Sequence, residues 1–159
     1  MSSCIFPGSF DPLTVGHLDL IQRCARMFDG VVVAVMCNPE KRSAFSPEER
    51  VDMIRRCVRG LKNVSVIHSE GLTIDAARRE GVQVMVRGVR NEVDFGMEVQ
   101  LATINRHLSQ GMETLLLPTL PHYAWVSSSI VREAAQYGGR IEGLVPGEIL
   151  EDVRKRFAR

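Results

Sequence analysis

Residues 6–21 read FPGSFDPLTVGHLDLI, and the glycines, hydroxyl and histidine spaced through that stretch have the composition of a phosphate site. Gly8 and Ser9 allow backbone N–H groups to approach a ligand closely. Gly16 and His17 fall where a helix should begin, with its unpaired N–H groups and the positive end of its dipole. The dipole pushes an imidazole there toward its neutral form, whereas a phosphate bound alongside favours the charged, donating form. Taken alone, a lone histidine is more ordinarily a helix-start residue bonding its own turn. The stretch fits neither G-x-G-x-x-G nor G-x-x-x-x-G-K-[ST], and neither pattern occurs elsewhere in the chain, so dinucleotide and P-loop readings lose support.

Further polar turns point the same way. NPEKR, SEGLT, RGVR and the segment leading to SSS each follow an apolar run, and together with the first turn they gather Gly, Ser, Thr, Lys, Arg and His. In an open parallel sheet, ligands bind in the crevice beyond the carboxyl ends of the strands, which is where these turns would converge.

The elements that must position them are legible. Apolar runs at 4–6, 31–37, 63–68, 82–87 and 113–118 predict five strands, each apolar on both faces, with helical patterns between them. That alternation predicts an α/β fold: a Rossmann-like, doubly wound, five-stranded parallel sheet with helices on both faces. Leu18, Ile21, Ala25 and Phe28 form the expected buried stripe of the first helix. The second opens in SPEER, where Ser46 caps, Pro47 suits the first position and Glu49 completes a capping box above a Val51, Ile54 and Val58 stripe. Further helices are expected from about Thr73 to Gly81, from Val93 to Leu108, from SSSIVREAA to Gly138 and Gly139, and over the PGEILEDVRKRFA tail.

Composition bounds the rest. The chain has 159 residues, 45% of them hydrophobic and 25% charged, enough for one domain over 1–159 with a proper core. A net charge of +1 supplies no global field toward nucleic acid, so any anion site is local. Cys4, Cys24, Cys37 and Cys57 lack metal-ligand spacing and read as buried thiols. No apolar run approaches the roughly 20 residues that cross a bilayer, and no secretory leader is visible, so a cytoplasmic protein free of membrane and nucleic acid is expected. The runs of Arg55, Arg56 and Arg59 and of Arg154, Lys155 and Arg156 read as solvated helix faces.

GSFDPLTVGH resembles the first signature of the nucleotidyltransferase superfamily, of the TxGH or HxGH type, and VSSSIVRE resembles its second, ISSSxxR-type signature. With NPEKR, RGVR and the DFxxExQLAxxNRHL pattern, the chain is similar to the bacterial phosphopantetheine adenylyltransferase family over nearly its whole length. The resemblance implies transfer of AMP from ATP to 4'-phosphopantetheine, giving dephospho-coenzyme A and pyrophosphate by direct in-line attack. A phosphate monoester with a second pKa of about 6 is already largely dianionic at neutral pH, so such an acceptor needs no general base.

The resemblance also implies roles. His17 contacts the α-phosphate and stabilises the transition state; Ser9 and Phe10 meet substrate and nucleotide; Lys41, Thr73 and Arg87 bind the acceptor. Gly88, Val89, Arg90 and Glu98 contact the nucleotide, as do Tyr123, Ala124, Trp125, Val126, Ser127, Ser128 and Ser129. Plain alternatives exist for each: solvated loop charges for Lys41, Arg87 and Arg90, a solvated helix glutamate for Glu98, and helix caps for Thr73 and the serines. Gly96, Met97 and Ala124 depart from the family's usual residues. No acidic metal cluster is visible, so Mg²⁺ is expected to arrive on ATP. A homohexamer, a dimer of trimers, and coenzyme A as a feedback ligand follow by resemblance only. The rivals are a nicotinamide mononucleotide adenylyltransferase and a non-catalytic nucleotide-binding module; a tRNA synthetase is excluded, since KMSKS-like residues and room for an anticodon domain are missing.

Overall fold

A computed structural model describes residues 2–40, 42–109 and 111–158. The apolar runs form β1 (Ser3–Gly8), β2 (Gly30–Cys37), β3 (Val64–Glu70), β4 (Val84–Val89) and β5 (Glu113–Pro118). They pair in parallel in the order β3-β2-β1-β4-β5, so the winding reverses between β1 and β4. In doubly wound sheets that reversal is where a ligand crevice opens. β1 and β4 pair there at Ile5 and Met85; beyond that point Arg87 Nη1 donates across to Pro7 O at 2.9 Å, a side-chain bond where a ladder bond would continue.

Strands β1 and β2 sit mid-sheet and are buried on both faces, as their continuous β-branched and apolar residues predict. The edge strands differ from expectation: β3 exposes Ser65, His68 and Glu70 and β5 exposes Glu113, Leu115 and Pro118, because strands at the sheet's margins are less fully covered than those at its centre. β4 also runs further than predicted, so Gly88 and Val89 are its last two residues, opposite Leu117 and Pro118, and the turn begins at Arg90.

The helices are α1 (Val15–Met27), α2 (Pro47–Cys57), α3 (Thr73–Arg79), α4 (Glu92–Leu108), α5 (Ser128–Gln136) and α6 (Leu150–Phe157). α2 starts as read, with Ser46 and Glu49 exchanging side-chain and backbone bonds and Pro47 in the first turn. On α1 the fully buried face is Leu20, Ile21 and Cys24, while Leu18, Ala25 and Phe28 pack at its margins; the sheet contacts a stripe rotated from the expected one. One face of the sheet carries the larger core, with α1, Val51 and Ile54 of α2, Val131 of α5 and Val153 of α6. The other carries a smaller one built on Ile5, Val32 and Met85 under Ala76 and Ala77 of α3. Helix α4 lies on β4 and β5 yet has no buried residue.

Two expectations need correcting. Cys4 and Cys24 are buried thiols, but Cys37 and Cys57 are only partly so. The basic runs are more than solvated faces: Arg56 bonds Asp52 and reaches Asp152 and the Glu148 carbonyl, while Arg154 pairs with Glu142 and Arg156 with Glu49.

Candidate active site

The cleft at the β1/β4 reversal encloses about 280 Å³. Two helix starts face it: Thr14, the cap of α1, and Ser127, the cap of α5, both line it. Their free N–H groups and dipoles make the cleft an anion site before any charged side chain is counted.

The turn after β1 is held by its carbonyls. Arg87 of β4 donates to Pro7 O (2.9 Å), Arg50 of α2 to Ser9 O (2.8 Å) and Arg132 of α5 to Asp11 O (2.6 Å). Ser128 Oγ donates to Pro12 O at 2.7 Å. Bonds from guanidinium groups are stronger than neutral ones, so the turn is fixed by cations gathered around an anion site. Phe10 takes a left-handed backbone, φ +48°, an arrangement that costs a non-glycine residue about 1–3 kcal/mol and marks functional turns. Its ring folds back over Gly8, where an added Cβ would lie 2.8 Å from Phe10 Cζ, so this glycine is required by close approach. At Gly88 a Cβ would meet Leu20 Cδ1 at 2.4 Å, which lets α1 sit tightly on β4.

His17 stands at the third position of α1 and completes a capping box with Thr14: the His17 N–H donates to Thr14 Oγ1, and the Thr14 N–H donates to His17 Nδ1 at 3.1 Å. A nitrogen that accepts a bond carries no proton, so neutral His17 keeps its proton on Nε2. The ring meets Phe10 edge-on, centroids 5.2 Å apart. Burial, with the nearby charges of Arg90 and Arg87, lowers its pKa to about 4. The free protein therefore holds a neutral imidazole with an Nε2–H donor, for reasons of desolvation and charge more than of dipole.

Two arginines on the cleft wall are paired. Arg87 grips Glu98 in a fork, Nε to Oε2 at 2.8 Å and Nη2 to Oε1 at 2.7 Å. Arg90 bonds Asp94 through Nε at 2.9 Å, and this bond holds the Asp94 carboxyl below its ordinary value. Sequence reading treated Arg87 and Glu98 as separate contacts; the fold makes them one ion pair. Asp94 was missed: it lies in the first turn of α4, whereas Arg90 precedes the helix in the turn after β4, so helical spacing gives no signal for the pair. Thr14, Thr119 and Leu20 also line the cleft and were not foreseen. Neither was Arg132, although it ends the VSSSIVR motif.

Of the expected residues, Ser9, Phe10, His17, Arg87, Gly88, Arg90 and Glu98 line the cleft, as do Tyr123, Val126, Ser127 and Ser128. The three serines divide their work: Ser127 caps α5, Ser128 ties down Pro12, and Ser129 accepts from Arg132. Val89, Ala124, Trp125 and Ser129 border the cleft's segments without lining it. Thr73 is the first residue of α3 rather than its cap, which is Leu72, and is not part of the cleft lining. Lys41 lies outside the described residues. Gly96 and Met97 fall on the exposed side of α4. Among the described residues, no three His, Cys, Asp or Glu side chains are grouped to hold a metal ion.

Residues 5–134 match the model of the cytidylyltransferase-like family. A protein of Clostridium perfringens named phosphopantetheine adenylyltransferase is 46% identical over 154 residues, covering 97% of this chain and 94% of its own. Proteins of the same name from Synechocystis sp. and Symbiobacterium thermophilum are both 47% identical. The first match covers 94% of each chain, and the second covers all of this chain and 98% of the relative.

Proposed function

The chain belongs to the cytidylyltransferase-like family of nucleotidyltransferases, and from that premise we propose that it transfers the adenylyl group of ATP to 4'-phosphopantetheine, giving dephospho-coenzyme A and pyrophosphate. The observation that carries this reading is a neutral His17, its Nε2–H available, between two helix starts and a turn bound by three arginines. Such a cleft is rich in donors, which suits a reaction whose acceptor is already a nucleophilic dianion.

An oxygen of the acceptor phosphate attacks the α-phosphorus in line. That O–P bond forms as the bond to the pyrophosphate oxygen breaks, and the electron pair leaves with pyrophosphate. His17 donates from Nε2 to an α-phosphate oxygen, where negative charge must be held in the transition state. Bound polyphosphate offsets the Arg87 and Arg90 charges that lower the imidazole pKa, so His17 gains proton affinity when ATP arrives. Ser9 and Phe10 meet both substrates at the turn, and Lys41 and Arg87 hold the acceptor phosphate, while Thr73, outside the cleft lining, would meet the acceptor's pantetheine arm. Gly88, Val89, Arg90 and Glu98 take the nucleotide together with residues 123–129.

A divalent metal suits this family's use of ATP. The cleft carboxylates Asp94 and Glu98 are engaged by arginines, which supports Mg²⁺ entering on the ATP phosphates. When bound, it supplies charge neutralisation on the pyrophosphate. Residues 1–159 are read as one nucleotidyltransferase domain, acting in the cytoplasm. No helix of the described residues is long and apolar enough to cross a membrane. The apolar face of α4, with Val93 72% and Met97 61% exposed, supports assembly into a homohexamer. Coenzyme A shares the phosphopantetheine arm of the substrate and is proposed as a feedback ligand. The test is pyrophosphate release from ATP: release with 4'-phosphopantetheine is expected, and release only with nicotinamide mononucleotide would move the chain to another adenylyltransferase.

A further inference from the structure

Two buried side chains of opposite charge lie beneath the cleft, and each bonds the backbone of the other's segment. Asp11, 7% exposed, accepts from the Ala44 N–H at Oδ2 and from the Phe45 N–H at Oδ1, both at 2.9 Å. Arg50, 3% exposed on α2, reaches back: Nη1 donates to Ser9 O at 2.8 Å, Nε to Ser46 O at 3.4 Å and Nη2 to Cys37 Sγ at 3.6 Å. Cys37 ends β2 and Ser46 caps α2, so the end of β2 and the start of α2 meet at one guanidinium.

The three acceptors that Arg50 has among the described residues are uncharged. Burying a guanidinium against uncharged groups is costly, and an apolar side chain of similar size would fill the same space without that cost. What the cation adds is geometry: a rigid planar fork sets several segments at fixed distances, which a flexible side chain cannot do. Asp11 makes the reciprocal link, so the two segments are cross-joined from both sides.

We propose that Arg50 is a positioning residue that locks residues 44–46, just before α2, to the turn at residues 8–12, so that the two segments hold one fixed spacing at the cleft. The kinetic part rests on the adenylyl-transfer reading, in which the segment before α2 serves the acceptor and the turn meets both substrates through Ser9 and Phe10. In-line transfer needs that spacing, and a misplacement of about 1 Å can cost roughly 100-fold in rate.

The experiment compares Arg50→Gln and Arg50→Lys with Arg55→Gln, which removes a guanidinium-to-carbonyl bond on the same helix, to Val66 O, away from the cleft. Amide hydrogen exchange is followed at residues 8–12 and 43–46, together with KM and kcat for both substrates. In Arg50→Gln, exchange rises in both segments together, and kcat/KM for 4'-phosphopantetheine falls about 10- to 100-fold. Arg50→Lys, which keeps the charge and loses the fork, gives a smaller change in the same direction. Arg55→Gln changes neither. Unchanged exchange at 43–46, or kinetic losses in Arg50→Gln no larger than in Arg55→Gln, would overturn the proposal. If Arg50→Gln does not fold, exchange in Arg50→Lys decides alone. Absence of pyrophosphate release by the unaltered protein would count against adenylyl transfer, while the exchange data would still test the lock.

Discussion

At the end of β1 and in the turn after it, the carbonyls of Pro7, Ser9, Asp11 and Pro12 are taken by side chains from β4, α2 and α5. Along α4, by contrast, Val93, Phe95, Met97, Val99, Leu101, Ile104 and Leu108 are all exposed. The turn is polar and its partners lie in the same chain. Directional bonds to backbone groups must be completed within the fold, since a buried carbonyl left alone is expensive. The α4 face is apolar, and apolar burial is non-directional, so it can be completed by any complementary surface. The contrast teaches that the directional bonds of the turn are completed by the same chain, whereas the apolar side chains of α4 stay exposed on it.

The sharpest way to break the comparison is at His17. His17→Ala removes the Nε2–H and should lower kcat about 10²- to 10³-fold, the usual cost of one transition-state donor, while ATP binding measured by calorimetry largely survives. His17→Glu restores a capping-box acceptor to the third helical position but places an anion in the cleft. It should be as well folded as the unaltered chain by circular dichroism and less active than the alanine variant. Unchanged turnover in either would remove His17 from the chemistry.

Next in size is Asp11→Ala, which strips two charge-assisted bonds from a buried site and should cost about 3 kcal/mol in denaturant unfolding. A loss under about 1 kcal/mol would mean that the turn is less dependent on its partners than the contrast with α4 requires.

A smaller effect concerns pH. Because folding lowers the His17 pKa from an ordinary value near 6.5 to about 4, the unfolded chain binds this proton first. Stability from this group is intact above the ordinary value and is eroded as pH falls toward the lowered one. The imidazole resonances of the free protein should titrate with a midpoint at about 4, in the Nε2–H tautomer, and the midpoint should rise on adding ATP. A midpoint near 6.5 in the free protein would contradict the burial of the imidazole beside Arg90 and Arg87.

On a single chain the smallest effect is expected at α4. Met97→Glu should shift monomer stability by no more than about 0.5 kcal/mol, since the residue is exposed, yet reduce the mass of the proposed assembly in analytical ultracentrifugation. An unchanged mass would show that this face is not where copies meet.

Much of this protein was fixed by local chemistry and therefore readable. The alternation of strands and helices, the Ser46–Glu49 box, the helix starts at His17 and Ser127, and the polar residues at strand ends all depend on neighbours within a few positions. The TVGH and VSSSIVRE motifs were legible for the same reason. The tertiary structure alone decided which face of α1 is buried, the Arg87–Glu98 pair, the tautomer of His17, and the arginine that serves each carbonyl of the turn. Arg50, Arg87 and Arg132 reach that turn across 41, 80 and 121 residues, separations at which sequence spacing carries no geometric information. A guanidinium on a helix reads the same whether it ends in solvent or under a phosphate site, and only the sheet order that brings β4, α2 and α5 around β1 tells the two apart.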